Sequence, residues 1–276
     1  MIGGKRVVVV SPAGRRRYLE LLIPQVQGLK QYVDELRLWV NTNNGDDITY
    51  MQKTAAGDPD FIKLEYLSVP YNGIDTIYTF FKNCIDENTV YVRFDDDIVL
   101  LDTPDAFRKF IDFRINNPQY FLVYGNILNN AIVSHIHQRH GKLNLDKGVS
   151  GYTCMDNLGW RDGNFALNVH QQVLSTPLSY YHFTDIWQLF NYDHVSINCI
   201  SWTGSEFGKF AGIVGPAEED WLSVVKPREI KKHNCIFGEF VCVHYAFGTQ
   251  RDKLDSFNIL DGYKQRLLKE PGVTIA

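Results

Sequence analysis

The sequence contains no CxxC pair, no P-loop, no G-x-S-x-G elbow, no H-E-x-x-H pattern and no internal repeat. Those absences argue against a zinc ribbon, a nucleotide-triphosphate cradle, a hydrolase nucleophile turn and a zincin helix. No apolar run approaches the roughly 18 residues of a membrane-spanning helix, so no transmembrane segment is expected. A peripheral contact with a membrane stays open. The N-terminal "MIGGKRVVVV" is too short in its apolar part for a signal peptide. The five cysteines, Cys84, Cys154, Cys199, Cys235 and Cys242, are odd in number and scattered, which argues against a disulfide framework. Several sit in apolar runs and read as small buried hydrophobes in a reducing, cytoplasmic compartment. Charge of one sign is also scarce. The net charge of −4 offers no polyanion-binding surface, and nucleic acid is not an expected partner.

What remains is ordinary globular composition, 45% hydrophobic and 22% charged. "KRVVVVSP" is a four-valine run closed by Ser11 and Pro12, the pattern of a strand buried on both faces. Leu19, Leu22, Ile23, Val26 and Val33 then recur at helical spacing, and Pro24 is expected to bend or divide that helix. "LRLWVN" and "FIKLEYLSVP" read as further strands. "NGIDTIYTFFKNCI" reads as a helix with Ile74, Ile77, Tyr78, Phe81 and Ile85 on one stripe. "TVYVRF" alternates as a strand, and Thr103-Pro104 makes a helix start. "YFLVYGNI", "SINCISW" and "EFVCVHYAF" read as later strands, and "DSFNILDGYKQRLLK" as one amphipathic closing helix. Residues 130–190 are less regular and are expected to be loops and short helices over one end of the sheet. Their "HIHQRH" stretch, with His135, His137 and His140, reads as a polar surface loop. The alternation of strand and helix implies an α/β fold. Its mixed, mainly parallel sheet is flanked by helices in one domain over 1–276, with halves of about 1–128 and 129–276.

"YVRFDDDIVLLD" is the feature that composition does not explain. Asp95, Asp96 and Asp97 follow an apolar strand and precede another apolar run. Ligands of open α/β sheets sit beyond the carboxyl ends of the strands, which is where this triplet falls. Adjacent carboxylates at a partly buried strand end raise one another's pKa unless a cation neutralises them. A divalent ion with hard oxygen ligands is the natural partner. A solvated acidic turn is the plainer alternative, but the apolar flanks on both sides argue against it.

A hydrophobic strand ending in Asp-x-Asp after earlier strand–helix units resembles the GT-A glycosyltransferases that use nucleotide sugars. "GPAEEDWLS" is similar to that family's late acidic motif at a helix start, and His244 in "FVCVHYAFGTQRDK" to its late histidine. The order of the three features matches over about residues 5–253. The resemblance implies a bound Mn²⁺ or Mg²⁺ with Asp97 as its main ligand, assisted by Asp95 and His244. It implies donor contacts at Ser11, Pro12, Ala13, Asp95, Asp96, Arg251 and Lys253, with Trp202 and Trp221 stacking on acceptor. Arg15, Arg16 and Arg17 reach phosphate or mark a solvated helix start, and solvent is favoured for at least two of them. Asp220 would be the general base, or Glu219 in its place, because a sugar hydroxyl needs a carboxylate to take its proton. First-turn acidic residues also suit a helix macrodipole, which is the structural alternative for Glu218 and Glu219. The implied reaction moves a sugar from a nucleoside-diphosphate sugar to a carbohydrate or other hydroxyl-bearing acceptor, with inversion. A non-catalytic sugar-binding module and a metal-dependent nucleotidyltransferase are the rival readings. "SPAGRRR" lacks the glycine-rich G-x-G-x-R type loop of sugar nucleotidyltransferases.

Overall fold

The computed structural model describes residues 1–269. Among them nine strands form one sheet: β1 (Arg6–Ala13), β2 (Glu35–Val40), β3 (Ile62–Tyr66), β4 (Thr89–Phe94), β5 (Ile98–Leu101), β6 (Val123–Leu128), β7 (Ile186–Leu189), β8 (Cys199–Thr203) and β9 (Asn234–His244). Their order is β3-β2-β1-β4-β8-β6-β9-β5, with β7 on the same edge of β9 as β5. β1 to β4 run parallel, and β6 and β9 share their direction. Only β5, β7 and β8 oppose them. The sheet is therefore mixed; its mostly parallel direction is what the strand–helix alternation implies, and its antiparallel strands are not.

The valines of β1 are fully buried, which suits a strand covered on both faces. The α-helices up to α5 are α1 (Arg16–Gln27), α2 (Gly45–Gly57), α3 (Pro104–Asn116), α4 (Ala131–Arg139) and α5 (Gly163–Leu174), and further ones follow. α3 starts where Thr103 and Pro104 require: the Thr103 hydroxyl accepts the Ala106 N–H, and Pro104 occupies the first turn. Along β9, Phe240 and Cys242 enter one apolar cluster with α3, while Val241 and Val243 enter another with α5. That alternation is the period of two of a strand with packed layers on both faces.

Several expectations need correction. Pro24 does not divide α1, because Leu22, Ile23 and Val26 on both sides of it are buried against the sheet. Packing outweighs the roughly 3 kcal/mol that an interior proline costs. The stretch Gly73–Asn83 is a 3-10 helix rather than an α-helix. Its tighter coil buries Thr76, Ile77, Phe80 and Phe81 and leaves Ile74 exposed at 78%, while Ile85, at 36%, lies past its end. The single closing helix is two, Arg251–Ser256 and Ile259–Leu267, broken at Asn258, whose φ is +51°. Residues 130–190 are more regular than expected, since α4, α5 and β7 lie in them.

"HIHQRH" is not a surface loop but most of α4, and His137 is fully buried. Its Nε2 lies 2.6 Å from Asn126 Oδ1. His170 on α5 is equally buried, between the Tyr263 hydroxyl and the Tyr245 carbonyl at 2.7 Å each. Burial pushes both imidazoles down to about 3. Each is neutral in the native state and takes a proton in the unfolded chain below about 6.5. Stability is therefore complete above that value and falls as pH drops from about 6.5 towards 3. Urea midpoints at pH 7 and 4.5 should show the loss, and His137→Gln should reduce it.

Candidate active site

The triplet forms the turn between β4 and β5, closed by the Ile98 N–H donating to the Asp95 carbonyl at 3.1 Å. Both flanking strands are buried along their length, so the apolar flanks hold the carboxylates at the sheet's carboxyl edge. The three acids have different partners. Asp95 Oδ1 accepts from Arg93 at 3.1 and 2.8 Å, and its Oδ2 accepts from Asn198 at 2.9 Å. Asp96 accepts from the Gly14 N–H at 3.1 Å and from the Arg15 guanidinium. Burial keeps its carboxyl above the usual range despite Arg15. Asp97 Oδ2 pairs with Arg15 at 2.9 Å, while Oδ1 faces His244 Nε2 at 3.5 Å. Burial would raise Asp97, but Arg15, His244 and Arg251 together hold it well below the usual carboxylate range.

His244 ends β9 and lies opposite Ile98 in the β5 register. Its Nδ1 lies 3.1 Å from the Asn129 carbonyl, so Nδ1 carries the proton that this acceptor requires. Burial lowers the imidazole, yet Asp97 leaves it above its ordinary value. In the neutral ring, the Asn129 contact leaves the Nε2 lone pair directed at Asp97. A backbone acceptor on the far nitrogen is the usual support of a metal-ligating histidine. Neighbouring ligands of an ion with bonds of about 2.1 Å are about 3 Å apart, close to the 3.5 Å observed. The donor set, one carboxylate and one imidazole beside further carboxylates, fits Mn²⁺ or Mg²⁺.

A cavity of about 690 Å³ opens over this edge. Of the residues expected from the sequence, it collects Pro12, Asp95, Asp96, Asp97, Glu219, Asp220, His244 and Arg251. It does not collect Ser11 or Ala13, both fully buried, which alternate away from Pro12 along β1. Lys253 is also outside, its ammonium 4.7 Å from the Phe257 ring. Trp202 is not an acceptor platform: it is fully buried, stacked on Tyr91, and donates to the Cys84 carbonyl at 3.2 Å. Trp221 packs edge-on against Phe210 and does not line the cavity. Trp202→Ala should cost about 3–5 kcal/mol in denaturant unfolding, as for a large core ring.

The acidic turn Glu218–Asp220 follows Ala217 in the left-handed region at φ +56° and continues into a π-helix, Trp221–Val225. Its carboxylates diverge. Glu218 pairs with Arg93 at 2.7 Å, and burial pushes it up to about 7 even so. Glu219 lies 3.1 Å from His194 Nε2 and 3.4 Å from Cys154 Sγ. Burial raises Glu219, but His194 outweighs it and holds the group below its usual range. The Cys154 and Glu219 side chains beside it raise His194 to about 10. Asp220 is exposed at the cavity rim, with no hydrogen bond or ion pair to its side chain among the described residues.

Sequence reading singled out neither Arg93 nor Asn198, Asn129, His194 or Cys154 for the site. Arg93 carried a signal, a charge inside an otherwise apolar strand. Of the three arginines after β1, Arg15 faces the triplet, while Arg16 and Arg17 pair with Glu20 and Asp255 in exposed positions.

No protein-family profile matches the chain, and no curated protein matches it in sequence. Solved structures do match in fold. A mannosyltransferase, PcManGT from Pyrobaculum calidifontis in complex with GDP-Man and Mn²⁺, is 13% identical with a TM-score of 0.51, over 98% of this chain and 66% of that one. GalNAc-T7 with UDP, GalNAc and Mn²⁺ is 8% identical with a TM-score of 0.54, over 92% of this chain and 48% of that one. The chain thus spans just under two thirds of the first and about half of the second. These likenesses show the fold: a mixed α/β sheet of the GT-A type. No described helix is long and apolar enough to cross a membrane.

Proposed function

We propose that this protein is a metal-dependent glycosyltransferase that moves a sugar from a nucleoside-diphosphate sugar to an acceptor hydroxyl. The observation that carries the reading is the meeting of Asp97 with His244 at 3.5 Å at the floor of the cavity, from the end of β4 and the end of β9. Asp97 and His244 would hold Mn²⁺ or Mg²⁺, with Asp95 beside them fixed by Arg93 and Asn198. That ion, when bound, supplies Lewis-acid charge next to the leaving diphosphate. Arg251 on the cavity wall adds positive charge for phosphate oxygens, and Pro12 and Asp96 line the nucleoside end.

Asp220 takes the proton of the acceptor hydroxyl, whose oxygen then attacks the anomeric carbon opposite the leaving group and inverts it. Its support is availability. Arg93 engages Glu218 and His194 engages Glu219, whereas Asp220 faces the cavity without a partner among the described residues. Glu219 is the alternative base. All five cysteines are free and buried, which supports a reducing, cytoplasmic setting.

The test is a panel of nucleotide sugars and nucleoside triphosphates, scored for Mn²⁺-dependent thermal stabilisation and then for products. A diphosphate sugar at about 100 times its Kd should stabilise by about 2.7 kcal/mol, and only with the metal present. Release of a nucleoside diphosphate with a glycosylated acceptor supports the reading. Consumption of a triphosphate with release of pyrophosphate would replace it with nucleotidyl transfer.

A further inference from the structure

We propose that Cys154, His194 and Glu219 form a second divalent-cation site, of the zinc class, in the wall of the cavity. It is separate from the pair Asp97–His244 and does not depend on the donor reading. The three side chains come from different parts of the chain: a loop before α5, a loop before β8, and the acidic turn before the π-helix. One ligand atom of each lies within 4.8 Å of the others, and among the described residues this is the group of three that meets that limit.

The spacing suits a tetrahedral ion. Bonds of about 2.3 Å to sulfur and about 2.0 Å to nitrogen and oxygen give S···O edges of about 3.5 Å and N···O edges of about 3.3 Å. The observed separations are 3.4 Å from Cys154 Sγ to Glu219 and 3.1 Å from His194 Nε2 to Glu219. Sulfur, nitrogen and carboxylate oxygen together select Zn²⁺ over Mg²⁺. His194 Nε2 is buried and has no aligned hydrogen-bond partner, although the Glu219 oxygen is near. A ligating lone pair aimed between the three atoms would account for both facts.

Three protein ligands leave one tetrahedral position open, the arrangement of a zinc centre that holds a water or a substrate oxygen. His194 and Glu219 both line the cavity, so an ion held by them would lie at its wall. Cys154 is buried behind them, which shields the sulfur from bulk water.

The test uses the full chain, stripped with a chelator and titrated with Co²⁺ and then Zn²⁺. Wild type and Asp97→Ala should both show a thiolate-to-cobalt charge-transfer band that one equivalent of Zn²⁺ abolishes. In Cys154→Ser the band should vanish and Zn²⁺ affinity should fall at least 100-fold, while Mn²⁺-dependent donor stabilisation persists. His194→Ala should weaken Zn²⁺ comparably and keep the fold if Cys154→Ser does not. Absence of the band in wild type, or equal Zn²⁺ binding by wild type and both variants, would overturn the site and leave a hydrogen-bonded thiol. The reading of Asp97 would stand or fall separately, on the Mn²⁺ arm.

Discussion

Asp97→Ala abolishes Mn²⁺-dependent binding of the nucleotide sugar, and turnover falls by on the order of 10³. The size follows from the several kcal/mol that a bound ion contributes to a developing charge, at about 1.36 kcal/mol per tenfold in rate. Asp97 is the carboxylate with the strongest reason to be charged, because Arg15, His244 and Arg251 outweigh its burial. Within the triplet it is also the one with an oxygen turned towards an imidazole. Asp97→Asn keeps the shape and removes the charge, so it separates metal loss from packing loss. Calorimetric Mn²⁺ titration with a nucleoside diphosphate reads the effect. Unchanged Mn²⁺ affinity in both variants means that the ion is held elsewhere.

The second large effect is on the other wall. Asp220→Asn leaves donor affinity within about twofold of wild type while kcat falls by on the order of 10² or more, the range for a lost general base. The contrast with its neighbours is part of the prediction. Glu218→Gln removes the partner of a buried guanidinium, since Arg93 is held charged by Glu218 and Asp95 against its burial. That change lowers stability before it touches chemistry. Glu219→Gln disturbs His194 and Cys154. If Asp220→Asn retains near wild-type kcat, Asp220 is not the base.

Seven of the nine described strands and the acidic edge were legible because burial leaves a periodic trace in residue type, whereas the short β5 and β7 were not. Four consecutive valines describe β1 on their own. Asp95–Asp97 stood out because carboxylates interrupt an apolar run. His244 was legible through its order after the triplet and the acidic turn. The partners of these residues were not. Glu218 reaches back to Arg93 on β4, and Glu219 meets His194 and Cys154, contacts that tertiary folding makes and no local spacing encodes. Trp202 shows the converse limit: indole chemistry suits both a sugar face and a core, and only burial against Tyr91 and Phe207 decides. The Gly73–Asn83 stretch failed for a geometric reason, because a stripe drawn at 3.6 residues per turn drifts around a coil of about three.

A crystal grown with Mn²⁺ and a nucleoside diphosphate, measured at the manganese edge, tests the central claim most directly. The account predicts one anomalous peak within bonding distance of both an Asp97 carboxylate oxygen and His244 Nε2, with diphosphate oxygens on its open side. A peak away from these two residues, with His244 still turned to a metal-free Asp97, would contradict it.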